Sequence, residues 1–353
     1  MNLRSIRYTV PIALLLTVAL PASQADALRV YQPLGGGTHS QALPGSAPRG
    51  SASDAALFGG TLPLVADQGK LGRKLAMVRL YYNLGQNFTT NNSRQVMSAG
   101  STVLASLDVP SNGPSYASIA AGKHDAAIRA WLTQAEQQAV AHHLPAVYVS
   151  FQHEANSPAK HPLGSPAQFA AAWRHIHALA ARAHLNWHAG GRLHWALILE
   201  HLAYFTPRER PHWSLALGMA ASYWPGAGTV DVVAADGYNR GGCRNHNGTT
   251  SPSEPSVTPG SLFNPVLDWA AAHGGLPVFL SEWASASYTA DPGWQPRFID
   301  QMKGYVLAHP RIEAALYWDQ QGYNACSYSL AGHPLALAAL ASLGRALHGR
   351  GTG

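Results

Sequence analysis

The chain has 353 residues, with 24 Lys plus Arg against 18 Asp plus Glu, and only 12% of its residues are charged. Nucleic-acid binding calls for a basic stripe, and no Lys/Arg cluster occurs, so that class is set aside. Ten Trp and fourteen Tyr in a weakly charged chain suit a neutral polysaccharide partner better, because sugar rings stack on aromatic faces.

The N-terminus carries Arg4 and Arg7, an apolar stretch from Pro11 to Leu20, and small residues from Ala22 to Ala27. This reads as a secretory signal over residues 1–27, since the apolar stretch is about half the roughly 20 residues a membrane span needs. No other run is apolar enough to cross a bilayer, so a secreted, extracellular or periplasmic monomer with no membrane attachment is expected. Residues 28–55 are crowded with Gly, Pro, Ser and Ala and read as an arm or linker. The remainder, 56–348, is long enough for one large core without a second domain or repeat.

Eight strand-like runs follow: Ala56 to Leu62, Leu75 to Leu84, Thr102 to Val109, Val147 to His153, Trp195 to Leu199, Val230 to Gly237, Pro277 to Ser281 and Ala314 to Asp319. Helical patterns separate several of them. Asp125 to Val140 places Ile128, Leu132 and Ala135 on one face. Ser165-Pro166 offers an N-cap and a first-turn proline before Phe169, Trp173, Ile176 and Leu179, and Pro265 to Ala272 opens a further helix. Strands alternating with helices imply parallel βα units, and eight of them close a barrel, so the expected fold is α/β, a single (β/α)8 TIM barrel. Long irregular stretches, Asn156 to Pro166 and Arg240 to Pro259, leave the C-terminal ends of strands four and six, where loops shape substrate access. Cys243 and Cys326 follow strands six and eight and therefore share one barrel face. In an exported chain a disulfide between them is expected, with two free buried thiols as the alternative.

Two of the runs are closed by glutamates: Ala146-Val-Tyr-Val-Ser-Phe-Gln-His-Glu154 and Leu276-Pro-Val-Phe-Leu-Ser-Glu282. Carboxylates at the downstream tips of barrel strands sit where such barrels keep their chemistry. A glycosidic bond is cleaved by one carboxylic acid that protonates the leaving oxygen and one carboxylate on the far side of the sugar. Strands four and seven face each other across a barrel mouth, so Glu154 and Glu282 can meet over one sugar ring.

Phe151-Gln-His-Glu-Ala-Asn156 resembles the His-Glu-x-Asn acid/base motif of glycoside hydrolase family 26, a β-mannanase family in the large (β/α)8 clan of retaining glycosidases. Val278-Phe-Leu-Ser-Glu-Trp283 is similar to that family's nucleophile strand, and Asp231-Val-Val-Ala-Ala-Asp-Gly-Tyr-Asn239 to its sixth strand. The resemblance spans roughly Leu57 to Gln320. It implies that Glu154 is the general acid/base and Glu282 the nucleophile, and that the substrate is a β-linked polysaccharide, mannan favoured. It further implies that His153 bonds sugar or nucleophile, that Tyr238 donates to the nucleophile and that Trp318 floors the sugar subsite. Asn156 and Trp283, which close the two motifs, complete the implied substrate-binding set. Apart from the resemblance, a nucleophile that must stay charged needs donors, and Arg79 on strand two joins the set as a candidate beside Tyr238. Structural alternatives stand beside these: Arg79 as a salt-bridge residue, Tyr238 and Trp318 as core packing. The chain departs from the family after the motif, running Ser157-Pro-Ala-Lys-His-Pro162 where aromatics are usual, and strand five ends in Glu200-His201, read as a buried structural pair.

Eighteen histidines raise the question of a metal. His142-His143 and His175-x-His177 fall in helical patterns where neighbours one or two apart point to different sides, and no His-Glu-x-x-His occurs. Neither a metal nor another cofactor is expected. Two further functions remain open: a barrel that binds polysaccharide without turnover, and a metal-dependent deacetylase, which a chelator would inactivate. A glycosidase of the same clan acting on another β-glycan is the nearer alternative.

Overall fold

Eight parallel strands pair in chain order and close on themselves: β1 (Leu57–Thr61), β2 (Met77–Asn83), β3 (Thr102–Asp108), β4 (Val147–Phe151), β5 (Leu193–Glu200), β6 (Val232–Asn239), β7 (Val278–Ser285) and β8 (Ile312–Tyr317). The computed structural model describes residues 56–209, 218–241, 243, 257–288, 291–320 and 326–348. The expected signal and arm, residues 1–27 and 28–55, lie outside the described residues, as does most of the stretch from Arg240 to Pro259. Ten α-helices accompany the strands among the described residues: α1 (Leu62–Ala66), α2 (Gln68–Leu71), α3 (Asn91–Ser98), α4 (Tyr116–Ala120), α5 (Asp125–Ala141), α6 (Pro166–Arg182), α7 (Ala220–Tyr223), α8 (Pro259–Ala272), α9 (Trp294–Ala308) and α10 (Pro334–His348). The fold is the (β/α)8 barrel. None of these helices is long and apolar enough to cross a membrane.

Period-two alternation divides each strand between two cores. Met77, Leu104, Ala196, Ile198, Val232, Ala234, Phe279, Ala314 and Leu316 fill the lower lumen. Their strand neighbours, among them Val78, Val103, Leu197, Val233, Leu280 and Ala315, pack outward against the helices. Phe169, Trp173 and Ile176 form the buried stripe of α6, as their helical spacing predicts. Each large apolar side chain buried this way contributes roughly 1.5–3 kcal/mol. The α6 start is fixed by a reciprocal cap: Ser165 Oγ accepts from Gln168 N, and Gln168 Oε1 accepts from Ser165 N at 2.8 Å.

Most boundaries shift by one or two residues, and three of the differences have a clear physical cause. Helix α8 starts at Pro259 and not at Pro265, because Thr258 and Ser261 cap each other's backbone N–H groups and Pro259 occupies the first turn. Pro265 is accommodated inside the helix, where it forgoes one backbone bond. Strand β4 ends at Phe151, two residues short of His153, while β7 continues past Ser281 to Ser285 because Glu282 to Ser285 pair with Asp236 to Asn239. Backbone ladders do not require apolar side chains.

The β7 extension carries a register shift. Ala235 pairs with Leu280, but Asp236 pairs with Glu282, so Ser281 is an extra residue in β7. Such a bulge puts two consecutive side chains on one face. Ser281 meets the lumen residue Asp236 at 2.6 Å, Glu282 also meets lumen residues, and Trp283 joins the outer core. Between Asp236 and Tyr238, Gly237 allows α8 to approach β6: a Cβ there would lie 2.8 Å from Phe263 Cε1 and 3.2 Å from His201 Cγ.

Cys243 and Cys326 form a disulfide across 83 residues of sequence, joining the loops after β6 and β8 as expected. A native disulfide typically stabilises by about 2–4 kcal/mol. Replacing both cysteines by Ser is expected to lower the melting temperature by roughly 5–10 °C, read by calorimetry under non-reducing conditions.

Candidate active site

Above its apolar floor the lumen turns polar. Arg79, Ser106, Ser150, Asp236 and Ser281 face inward with no more than 1% exposure. On β2 the inward series runs Met77, Arg79, Tyr81, so a floor residue, a cation and a phenol rise in succession towards the C-terminal mouth. They lead to Glu282. Tyr81 donates its hydroxyl to Glu282 Oε1 at 2.5 Å, Tyr238 donates to Oε2, and Arg79 Nε lies 3.6 Å from Oε1. Three strands, β2, β6 and β7, thus converge on one carboxylate.

The surroundings keep these donors in their donating forms. Burial, followed by the field of Glu282, pushes the Tyr81 and Tyr238 phenols well above the usual tyrosine range. Burial works against the charge of Arg79, but Tyr81, Glu282, Asp236 and Asp108 outweigh it and raise the guanidinium above its ordinary value. The guanidinium also sits 4.8 Å from the centre of the Tyr81 ring, within cation–π range. Tyr238 stacks on Tyr328 at 5.1 Å, and Arg240 lies 5.9 Å from its ring.

Glu154 reaches the mouth through a strained turn. Gln152 and Glu154 have φ of +56° and +49°, a left-handed backbone that disfavours non-glycine residues by about 1–2 kcal/mol each. Neighbouring strands hold it. Gln152 N donates to Leu107 O, Gln152 Oε1 accepts from Val109 N at 2.8 Å, His153 N donates to Asp108 Oδ1, and Glu154 N donates to Ile198 O at 3.0 Å. Asn156 Oδ1 accepts from Glu200 N at 3.0 Å and closes the turn onto β5. Burial is the largest influence on the Glu154 carboxyl. His153 and Arg240 oppose it, Glu282 and Glu200 reinforce it, and the net result is a carboxyl pushed up to about 7.

His153 is fixed from the other side. Its Nδ1 lies 2.8 Å from Asp108 Oδ2, and its ring meets Tyr81 edge-on at 5.5 Å. Burial would lower the imidazole, but the Asp108 carboxylate raises it, and the same pairing overcomes burial to lower Asp108. Trp318 meets Tyr81 edge-on at 5.8 Å, so Trp318, Tyr81 and His153 form a continuous aromatic wall beside Glu282. Asp236, fully buried below it, is pushed well above the carboxylate range by burial, then by Glu282 and Glu154.

The structure brings Glu154, Glu282, His153, Tyr238, Trp318 and Arg79 to one end of the barrel. Three of the residues expected to touch substrate have no exposed surface. Trp283 is 0% exposed and packs edge-on against Tyr317 in the outer core, because the β7 bulge reverses the phase of the strand after Ser281. Asn156, also fully buried, braces the turn after β4 through Glu200. Arg79 lies wholly beneath the site, beside Glu282, and supports that carboxylate without an exposed surface for sugar. Glu200 and His201 form the buried pair that was read for them, with His201 Nδ1 2.8 Å from Glu200 Oε1. His175 pairs with Asp125 on α5 while His177 packs on Trp195 of β5, on different sides of α6 as their spacing required. Tyr81, Asp108 and Asp236 were not anticipated, although strand alternation carried the signal: Tyr81 is two residues beyond Arg79, and Asp236 two before Tyr238.

No protein-family model and no curated protein sequence matches the chain. Solved structures do match over most of its length. The Ignisphaera aggregans GH53 catalytic domain superposes with a TM-score of 0.52 at 11% identity, covering 84% of this chain and 98% of its own. A family 5 xyloglucanase from Paenibacillus pabuli gives 0.51 at 10%, covering 82% and 99%. GH26C from Muricauda sp. gives 0.50 at 11%, covering 82% and 85%. At these identities the likeness establishes the barrel fold.

The Glu154 environment has a consequence for stability. A carboxyl at about 7 in the folded chain, against an ordinary 4.5, binds more protons folded than unfolded. Its penalty is absent below about pH 4.5, grows as pH rises, and is complete above about pH 7, where it reaches about 3 kcal/mol. Glu154→Gln is expected to be more stable than the wild type at about pH 8 and equal to it at about pH 4, measured by urea unfolding at each pH.

Proposed function

We propose that this chain is a secreted glycoside hydrolase that cleaves β-linked polysaccharide, β-mannan favoured, by a retaining double displacement. The observation that carries the reading is the contrast between two neighbouring carboxyl groups. Glu282 is gripped on both oxygens by phenols and flanked by a guanidinium, whereas Glu154 is pushed up to about 7 and can carry a proton near neutrality. One group is prepared to attack, the other to give and take a proton.

In the first step Glu154 protonates the glycosidic oxygen as Glu282 attacks the anomeric carbon, and the leaving sugar departs with the bonding pair. In the second, Glu154 takes a proton from water, the water oxygen bonds to that carbon, and the bond to Glu282 breaks. His153, fixed by Asp108, and Trp318 border the sugar. The strand-four, strand-six and strand-seven motifs support mannan as substrate, and the similar barrel named as a xyloglucanase supports a β-glycan in general. The signal-like N-terminus and the Cys243–Cys326 disulfide support export to an oxidising compartment.

Product analysis on a panel of β-glycans tests the reading. Release of reducing sugar with retention of the anomeric configuration, read by proton NMR, is expected. A chain that retards polymer on a column yet releases nothing would instead be a binding barrel. Glu154→Ala and Glu282→Ala should each lose on the order of 10²–10⁴ in kcat/KM on polysaccharide, with the Glu154 variant spared on aryl glycosides whose leaving group needs no protonation. Because Glu154 acts in its protonated form, kcat/KM is expected to fall as pH rises through about 7.

A further inference from the structure

The two oxygens of Glu282 keep different company. Oε1 accepts from Tyr81 at 2.5 Å and has Arg79 Nε 3.6 Å away, while Oε2 accepts from Tyr238. Charge on Oε1 is therefore stabilised by two groups and charge on Oε2 by one. The Tyr81 ring is also enclosed, with Arg79 against its face and the edges of His153 and Trp318 beside it. Tyr238 stacks on Tyr328 and has the Arg240 guanidinium against its ring.

We propose that Tyr81 is a positioning residue that keeps Oε1 as the carbonyl oxygen of the glycosyl ester, directs attack to Oε2, and stabilises Glu282 as the leaving group of the second step. The inference rests on the glycosidase reading and concerns how its two steps are divided. In the first step the Oε2–carbon bond forms, the bond to the departing oxygen breaks with its electron pair, and the negative charge of the carboxylate is consumed. Tyr238 must release Oε2 as that bond forms, whereas Tyr81 can remain on Oε1 throughout. In the second step the carbon–Oε2 bond breaks, its pair returns to the carboxylate, and the regained charge spreads onto Oε1, where Tyr81 and Arg79 await it. A donor on a leaving carboxylate lowers the barrier to its departure. The same donor on an attacking carboxylate stabilises the starting state and contributes little to rate. The raised phenol ensures that Tyr81 enters both steps as a donor.

Tyr81→Phe keeps the ring and removes only the hydroxyl. With dinitrophenyl β-mannobioside or β-cellobioside as probe, the variant is expected to lose about 10²-fold in kcat, as for removal of one preorganised donor. KM should fall with it, kcat/KM should change less than about threefold, and a burst of dinitrophenol should precede the steady state, the signature of a slowed second step. Equal losses in kcat and kcat/KM without a burst, or no loss at all, overturn the proposal. A readout without turnover tests the contact itself. A hydroxyl proton resonance downfield of the amide region should vanish in Tyr81→Phe and also be lost or shifted in Glu282→Gln, and no such shared resonance overturns the proposal. The underlying reading is tested separately by mass spectrometry of wild type treated with a 2-deoxy-2-fluoro glycosyl fluoride. Failure to label Glu282, together with no turnover of either probe, overturns the glycosidase reading and the kinetic role of Tyr81 with it. Labelling with normal kinetics in Tyr81→Phe overturns the role of Tyr81 alone.

Discussion

A guanidinium with no exposure to solvent, set in the lumen of a closed barrel, governs the electrostatics of this protein. A buried charge is tolerable only beside a counter-charge, and among the described residues Glu282 is the carboxylate within ion-pair reach of Arg79. Asp108, Glu154, Glu200 and Asp236 share the few remaining basic side chains. Asp108 takes His153 and Glu200 takes His201. Among the described residues neither Asp236 nor Glu154 has an ion-pair partner, and burial beside other carboxyls raises both. The different characters of the site's acids follow from this shortage. A second cation in the lumen would lower Glu154 and remove its capacity to hold a proton near neutrality.

Geometry follows from the same economy of contacts. The turn after β4 adopts a backbone that its residues disfavour, and the strain persists because bonds to Leu107, Asp108, Val109 and Ile198 leave the segment no alternative. Asp108 acts on both the backbone and the ring of His153. Placement of Glu154 therefore depends on the ends of β3 and β5 as much as on β4. On the opposite side, the extra residue in β7 allows Ser281 and Glu282 to share the lumen, so the carboxylate meets Tyr81 and Tyr238 while Trp283 seals the outer core. The loops after β6 and β8, which carry Arg240 and Tyr328, are joined by the disulfide.

The sequence by itself determined the elements whose signals are local. Short apolar runs marked all eight strands, Ser165-Pro166 marked the start of α6, and the positions of Cys243 and Cys326 after strands six and eight placed them on one face. Glu154 and Glu282 were legible as strand-end carboxylates, and Glu200-His201 as a buried pair. Thr258-Pro259 carried an equally local helix start that the reading from Pro265 passed over. The tertiary structure decided the rest. Whether Glu282 or Trp283 enters the lumen depends on a register shift against β6, because side-chain phase in a strand is set by its pairing partner and not by its own residues. That Tyr81 would grip Glu282, that Asp236 would lie beneath it and that Asn156 would brace a turn depend on distances between strands far apart in the chain. The raised Glu154 carboxyl is the summed effect of burial and several charges that only the closed barrel brings together.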